Sequence, residues 1–285
     1  MPKHCYPERS EGSAVPRVET YAFHRKPGIA GTSSRAAISR ADQPAPPGPP
    51  LRPPPENLYN RPVANRAYAS FWTRDYSEDL MLDRFERWLE TVPLSTERRG
   101  FTSLVIRAIA PSEAPLLEHD FRAGEADVAA VIALAREHRN SDCSYELEAH
   151  WDLWNLDPNT ALWQHGPQRL LLICQGPDYD DGVAAESSHF LADLGLEHFF
   201  TGHAGLLGAG EPRATPAGPV EATFLERMSR QEHLREYHEK TRLNIRQLLD
   251  WTRSVEHALP IERTVLRSEG EENLEARLDQ ILTVR

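Results

Sequence analysis

The sequence predicts an α+β domain of the ferredoxin-like kind, a split β-α-β-β-α-β sheet, with a flanking N-terminal helix and a long C-terminal helical region. Three observations predict it. Between residues 98 and 205, strand-like and helix-like hydrophobic patterns follow one another in that order. The runs expected at the sheet centre, 101–109 and 169–175, are apolar on both faces, whereas 144–154 alternates and 196–201 is short, as edge strands would be. Finally, no Gly or Pro interrupts the stretch from Val220 to Leu259.

Taken in order, residues 1–56 are a Pro-rich tail. Twelve of the 23 prolines lie in residues 1–55, eight of them from residue 43 onward, and this stretch carries a net charge of +4. Proline removes a donor and drives its predecessor out of the α region, so this segment is expected to be extended and disordered. Its segment from Cys5 to Arg17 (CYPERSEGSAVPR) resembles the translated interspersed repeats of bacterial genomes, which implies a true start further downstream. Residues 57–97 form the N-terminal helical segment. There Asp75 and Glu78 have the spacing of a capping box, and Met81, Phe85, Trp88, Leu89 and Val92 make one apolar stripe.

Residues 98–205 carry the sheet. Phe101 to Ile109 is β-branched, and residues 124–139 place Val128, Val131, Ile132 and Ala135 on one helical side. From Ser144 to Trp154 the alternation is strict, with Tyr145, Leu147, Ala149, Trp151 and Leu153 on one face. Leu170 to Ile173 is a continuous apolar run, and Val183, Phe190, Leu191 and Leu194 suggest a short helix ended by Gly195. Residues 196–201 supply the last strand. Because a split βαβ sheet is covered by its own helices on one side only, its second face would need another cover. The helix at 75–92, the C-terminal helices or a second copy of the chain are the candidates.

Residues 206–285 comprise a Gly/Pro linker and C-terminal helices. Apolar residues at a spacing near 3.5 over 220–259 fit core packing or a coiled coil in a homodimer, as one long helix or two. Residues 261–266 read as a strand, and Ser268 to Glu271 as the cap of a last helix carrying Leu274, Leu278, Ile281 and Leu282.

Composition narrows the function classes. The net charge is −11, the wrong sign for a protein living on phosphate backbones, and no apolar run spans a bilayer. Three cysteines exclude a disulfide scaffold and a four-cysteine zinc site, and suit a cytoplasmic protein. Glu146, Glu148, His150 and Asp152 share one face of their strand, as a binding site or as charges guarding an edge. Asp178, Asp180 and Asp181 lie between Gly176 and Gly182, an oxygen-rich loop suited to a divalent metal, though a turn with a helix cap explains the same residues. His189 and His198, with His203 and Glu186 nearby, complete the candidate metal set. The Gly-rich stretch 202–210 lacks the Lys-Ser/Thr of a phosphate loop. Two functions follow as expectations: a ligand- or partner-binding domain, or a metal-dependent, hydrolase-like enzyme using the 178–181 loop and its histidines. RNA binding is disfavoured by the acidic strand face.

Overall fold

The computed structural model describes residues 65–121, 126–157, 160, 162–202 and 218–283. All belong to one compact unit, Tyr59–Arg285. The expected tail at 1–56, with its start, lies outside the described residues, as does the stretch 206–217 of the expected linker.

Seven strands form a single sheet: β1 (Arg66–Thr73), β2 (Ser103–Ala108), β3 (Leu117–Asp120), β4 (Cys143–Leu156), β5 (Trp163–Gln175), β6 (Phe190–Leu196) and β7 (Ile261–Ser268). Their spatial order is β3-β2-β4-β5-β6-β1-β7, and every neighbouring pair is antiparallel. The ferredoxin-like expectation is therefore wrong: that fold is a four-stranded sheet with its first and third strands at the centre, whereas this sheet has seven strands in a different order. Two elements had their identities exchanged. Phe190 to Leu196, expected as helix, is a strand whose Phe190, Ala192 and Leu194 enter the core. Gly195, expected to end that helix, sits at a bulge with φ 92° where the β1–β6 register skips Leu194. Residues 196–201, expected as the final strand, instead hold a single helical turn, α4 (His198–Thr201), that buries Phe199 and Phe200.

Two further strands had no counterpart in the sequence reading. β1 lies inside the expected helical segment 57–97, and its inward residues Ala67, Ala69 and Phe71 are fully buried. Alanine carries too little apolar weight for that alternation to stand out. β3 has four residues, three of them exposed, and occupies one edge. The expected edge strand at 144–154 is consequently central, flanked by β2 and β5.

The helices are α1 (Glu78–Leu89), α2 (Val128–Glu137), α3 (Ala184–Ser187), α4, α5 (Pro219–Met228), α6 (Gln231–Ala258) and α7 (Leu274–Thr283). The α1 stripe packs as read, with Met81, Phe85, Trp88 and Leu89 buried, although Ser77 and not Asp75 occupies the N-cap. The stretch from 220 to 259 is two helices, broken at Ser229-Arg230. In α6, Ile245, Leu248, Trp251 and Val255 turn into the chain's own core, so the near-3.5 spacing serves internal packing. That core is aromatic. Trp88 meets Phe190 at 5.2 Å, Trp151 meets Trp251 at 5.9 Å, and Phe85 meets Tyr145 at 6.3 Å. Each contact joins a helix to the same sheet face, so α1 and α6 cover one side together. Cys143 and Cys174 are buried as small apolar groups, and burial pushes the Cys174 thiol up to about 12.

The second face carries no helix longer than α3 among the described residues. Cross-strand register places Tyr68 and Ser70 of β1, Val105 and Arg107 of β2, Glu146 and Glu148 of β4, Leu171 and Ile173 of β5, and Leu191 and Asp193 of β6 on it. The doubly apolar centre expected from the sequence is only partly real. Phe101 turns into the core at the mouth of β2, Val105 and Ile173 are half-buried, and Ile109 lies beyond the strand, exposed. The 176–188 segment crosses one end of this face, burying Tyr179 and accepting the Trp72 indole N–H on Ala185 O at 3.1 Å.

Candidate functional site

The even-numbered residues of β4 line this second face, and a central strand changes what their charges do. Guarding an edge is no longer their role; each is partnered by a neighbouring strand or loop. Arg107 Nε donates to Glu146 at 3.2 Å, and Arg169 Nε donates to Glu148 at 2.6 Å. On the next strand pair, the Arg66 guanidinium reaches Asp193 at 2.7 Å. Burial raises the Glu146 carboxyl above its ordinary value, and Arg107 only partly offsets that.

The far end of the strip is held by the segment after α1. Asp152 Oδ2 accepts from the Thr96 backbone N–H and hydroxyl, both at 2.9 Å. Burial alone would raise the Asp152 carboxyl, but donors from Ser95 and Thr96 prevail and lower it. His150 is only 6% exposed. Its Nε2 lies 3.1 Å from Arg98 Nη1, and since a guanidinium can only donate, that ring nitrogen accepts. The ring proton therefore sits on Nδ1, which is buried with no partner among the described residues, as is Asp152 Oδ1. Burial, and then the Arg98 charge, lower the His150 pKa, keeping the ring neutral. Glu146, Glu148, His150 and Asp152 thus do share one face, where Arg98, Arg107 and Arg169 join them from elements the sequence could not align.

The candidate metal set is not brought together. Asp178 anchors a turn by donating its N–H to Ser141 O at 2.9 Å, and Asp180 donates to Ile109 O at 2.7 Å. Asp180 and Asp181 adopt φ of 51° and 58°, a left-handed turn geometry that aspartate tolerates. His189 and His198 lie on either side of β6, and its seven residues at about 3.3 Å each separate them by roughly 23 Å. His189 is held between elements. Its Nδ1 accepts the Thr73 N–H at 3.0 Å, its ring stacks on Tyr76 at 3.9 Å, and burial lowers its pKa to about 4, helped by Arg84. His198 opens α4, its ring 4.6 Å from Phe199. Glu186 lies in α3, and His203 lies outside the described residues. Among the described residues, no group of three or more His, Cys, Asp or Glu side chains could hold a metal ion.

One feature escaped the sequence. A cleft of about 240 Å³, part of it open to solvent, lies between the outer β4–β5 hairpin, α4 and α6, lined by Trp154, Trp163, Phe199, Tyr237 and Asn244 among others. Asn244, 2% exposed, closes its floor. Its Oδ1 accepts the Trp154 N–H at 2.8 Å, and its Nδ2 donates to Trp154 O at 2.9 Å and Phe199 O at 3.0 Å. Two tryptophans nine residues apart were the visible signal, but only α6 makes them a cleft. Its enclosed part is only about 20 Å³, room for about one water and far below the roughly 300–1,000 Å³ usual for ligand pockets. No family model, curated protein or solved structure matches the chain.

Proposed function

We propose that the chain is a binding protein and that it takes its ligand on the second face of the sheet, the one not covered by α1 and α6. One observation carries this reading. On a face that otherwise carries three ion pairs beside Tyr68, Ser70 and Val105, Ile173 and Leu191 are directly opposed across β5 and β6, and Leu171 lies two residues along. All three are half-buried aliphatics on a face with no helix longer than α3 among the described residues. A purely solvated antiparallel face needs no such patch, since polar residues serve it at no cost. The flanking Arg107–Glu146, Arg169–Glu148 and Arg66–Asp193 pairs neutralise one another, so the patch favours a ligand that is mainly apolar. Buried His150, with its unshared Nδ1 proton, adds a polar end to the same strip.

Carbene footprinting in intact cells and on the purified chain tests this directly. Occupancy predicts at least twofold less labelling of Leu171, Ile173 and Leu191 in cells than in the purified protein, with Leu80 on α1 unchanged. Equal labelling in the two settings would remove the proposal.

A further inference from the structure

Among the described residues, four other than glycine have a positive φ: Asp75, Asp180, Asp181 and Ile109. Aspartate adopts that region readily, but a β-branched side chain does so only against steric strain. Ile109 has φ 71° and is 63% exposed, so its side chain gives the fold almost nothing in return for the strain. Leu116, at the other end of the same 110–115 turn, is 56% exposed. Two of the most exposed large apolar side chains among the described residues therefore bracket a single loop.

Three loops meet at this corner. The Ile109 N–H donates to Asp142 O at 2.9 Å and its carbonyl accepts from Asp180 at 2.7 Å, tying the turn after β2 to the turn before β4 and to the 176–183 loop. The charged side chains these loops carry are Glu113, Asp142, Asp178, Asp180 and Asp181 on one hand, and Arg107 and Arg139 on the other. Arg107 lies in the corner itself, its Nε on Glu146 at 3.2 Å and its Nη1 on Glu113 O at 3.1 Å, and Arg139 pairs with Glu78 and Asp79. Five carboxylates against these two arginines leave the exposed aliphatic pair in a net acidic field. A second copy of the chain would set those carboxylates against themselves, and an anionic lipid surface would be repelled.

We infer that the corner formed by Ile109, Leu116 and the carboxylates of the 109–116 and 176–183 loops docks a basic, apolar segment of a partner protein. This surface adjoins one end of the second sheet face, but its apolar residues are different and the inference does not depend on ligand binding there. Ile109 is the apolar anchor, and the carboxylates select lysine- and arginine-rich flanks and hasten encounter.

Titration of a fluorescein-labelled twelve-residue peptide of alternating Lys and Leu, followed by anisotropy and by amide shift mapping, tests the inference. Perturbed amides are expected at residues 107–117, 140–143 and 176–183. Ile109→Gly, which relieves the strain, is expected to melt higher than the parent yet bind at least tenfold more weakly. The Asp180→Asn, Asp181→Asn double variant, which keeps the turn geometry, is expected to weaken binding at low salt and flatten its salt dependence. Binding of Ile109→Gly equal to the parent, or perturbations confined to other surfaces, would overturn the inference. So would a sedimentation result showing a dimer that Ile109→Gly dissolves, since the occupant would then be a second copy.

Discussion

Gly176 joins β5 to the acidic loop and passes against the 141–143 turn more closely than any side chain allows. A Cβ at this position would lie 2.2 Å from Ser141 O and 2.8 Å from Cys143 O. Relief requires a backbone shift of about 0.8 Å or more, since real Cβ atoms essentially never come within 3.0 Å of a neighbour. The turn cannot yield freely. Gly176 N–H donates to Cys143 O at 2.8 Å and Asp178 N–H to Ser141 O at 2.9 Å, so moving either strand away breaks both bonds. Overpacking of this kind costs about 1–3 kcal/mol, and each buried bond left unmade adds about 1 kcal/mol or more, giving roughly 3–5 kcal/mol for Gly176→Ala. For a folded region of this size that corresponds to a fall in Tm of about 10 °C. Gly166, on the outer part of the same strand, meets nothing within 4 Å of an added Cβ. Gly166→Ala is therefore expected to be neutral or to stabilise by about 0.5 kcal/mol through a less flexible unfolded chain. Urea denaturation of both variants decides the matter. A Gly176→Ala protein within 1 kcal/mol of the parent would show that the packing of β5 on the 141–143 turn is wrong.

Arg107→Met leaves the largely buried Glu146 without its counter-charge, at an expected cost of about 3 kcal/mol near neutral pH. Since the Glu146 carboxyl already titrates above its ordinary value, this loss should shrink as pH falls and the acid protonates, and urea titrations at pH 4.5 and 8 check the difference. For His189 the folded pKa of about 4 lies below the ordinary value near 6.5, so the unfolded chain takes up the proton first. Stability is full above pH 6.5, declines as pH falls towards 4 and then levels off. Discounted for its partial exposure, the effect is about 1–2 kcal/mol, and His189→Phe should remove that portion of the slope in the same denaturation series.

The legible parts of the fold are those where one period of hydrophobicity acts alone. α1 and the inner half of α6 each bury a single stripe, and β4 alternates without a fault over its core face, because each element meets the same core across its whole length. The illegible parts are those where neighbours decide. FLADLGL satisfies either a helical or a strand template, and only its pairing with β1 and β5 makes it a strand. LEHFFT is aromatic enough for a strand, yet β1 takes the place beside β6 that a continuation would have needed. Pro167 held an unused clue. It faces Asp152 in β5, and two residues along β4 the Trp154 backbone groups point outward to Asn244. By alternation the Asp152–Pro167 pair also turns its backbone groups away from the ladder, so proline's missing donor costs no sheet bond there.

The same contrast governs the site. A period-2 pattern places Glu146, Glu148, His150 and Asp152 on one face, and that much holds. It cannot say whether the strand is central or at an edge, and that choice alone separates guard charges from members of a paired platform. Their partners Arg107, Arg169 and Arg98 lie 39, 21 and 52 residues away and arrive through strand register and one loop. The separation of His189 and His198 follows from the exchange of a helix and a strand. A helix over 183–194 with a short strand after it would have let His189 and His198 approach one another, whereas an extended β6 holds them apart. Local composition can nominate ligating side chains, but their convergence is a property of topology, and here the topology brings together aliphatics and ion pairs.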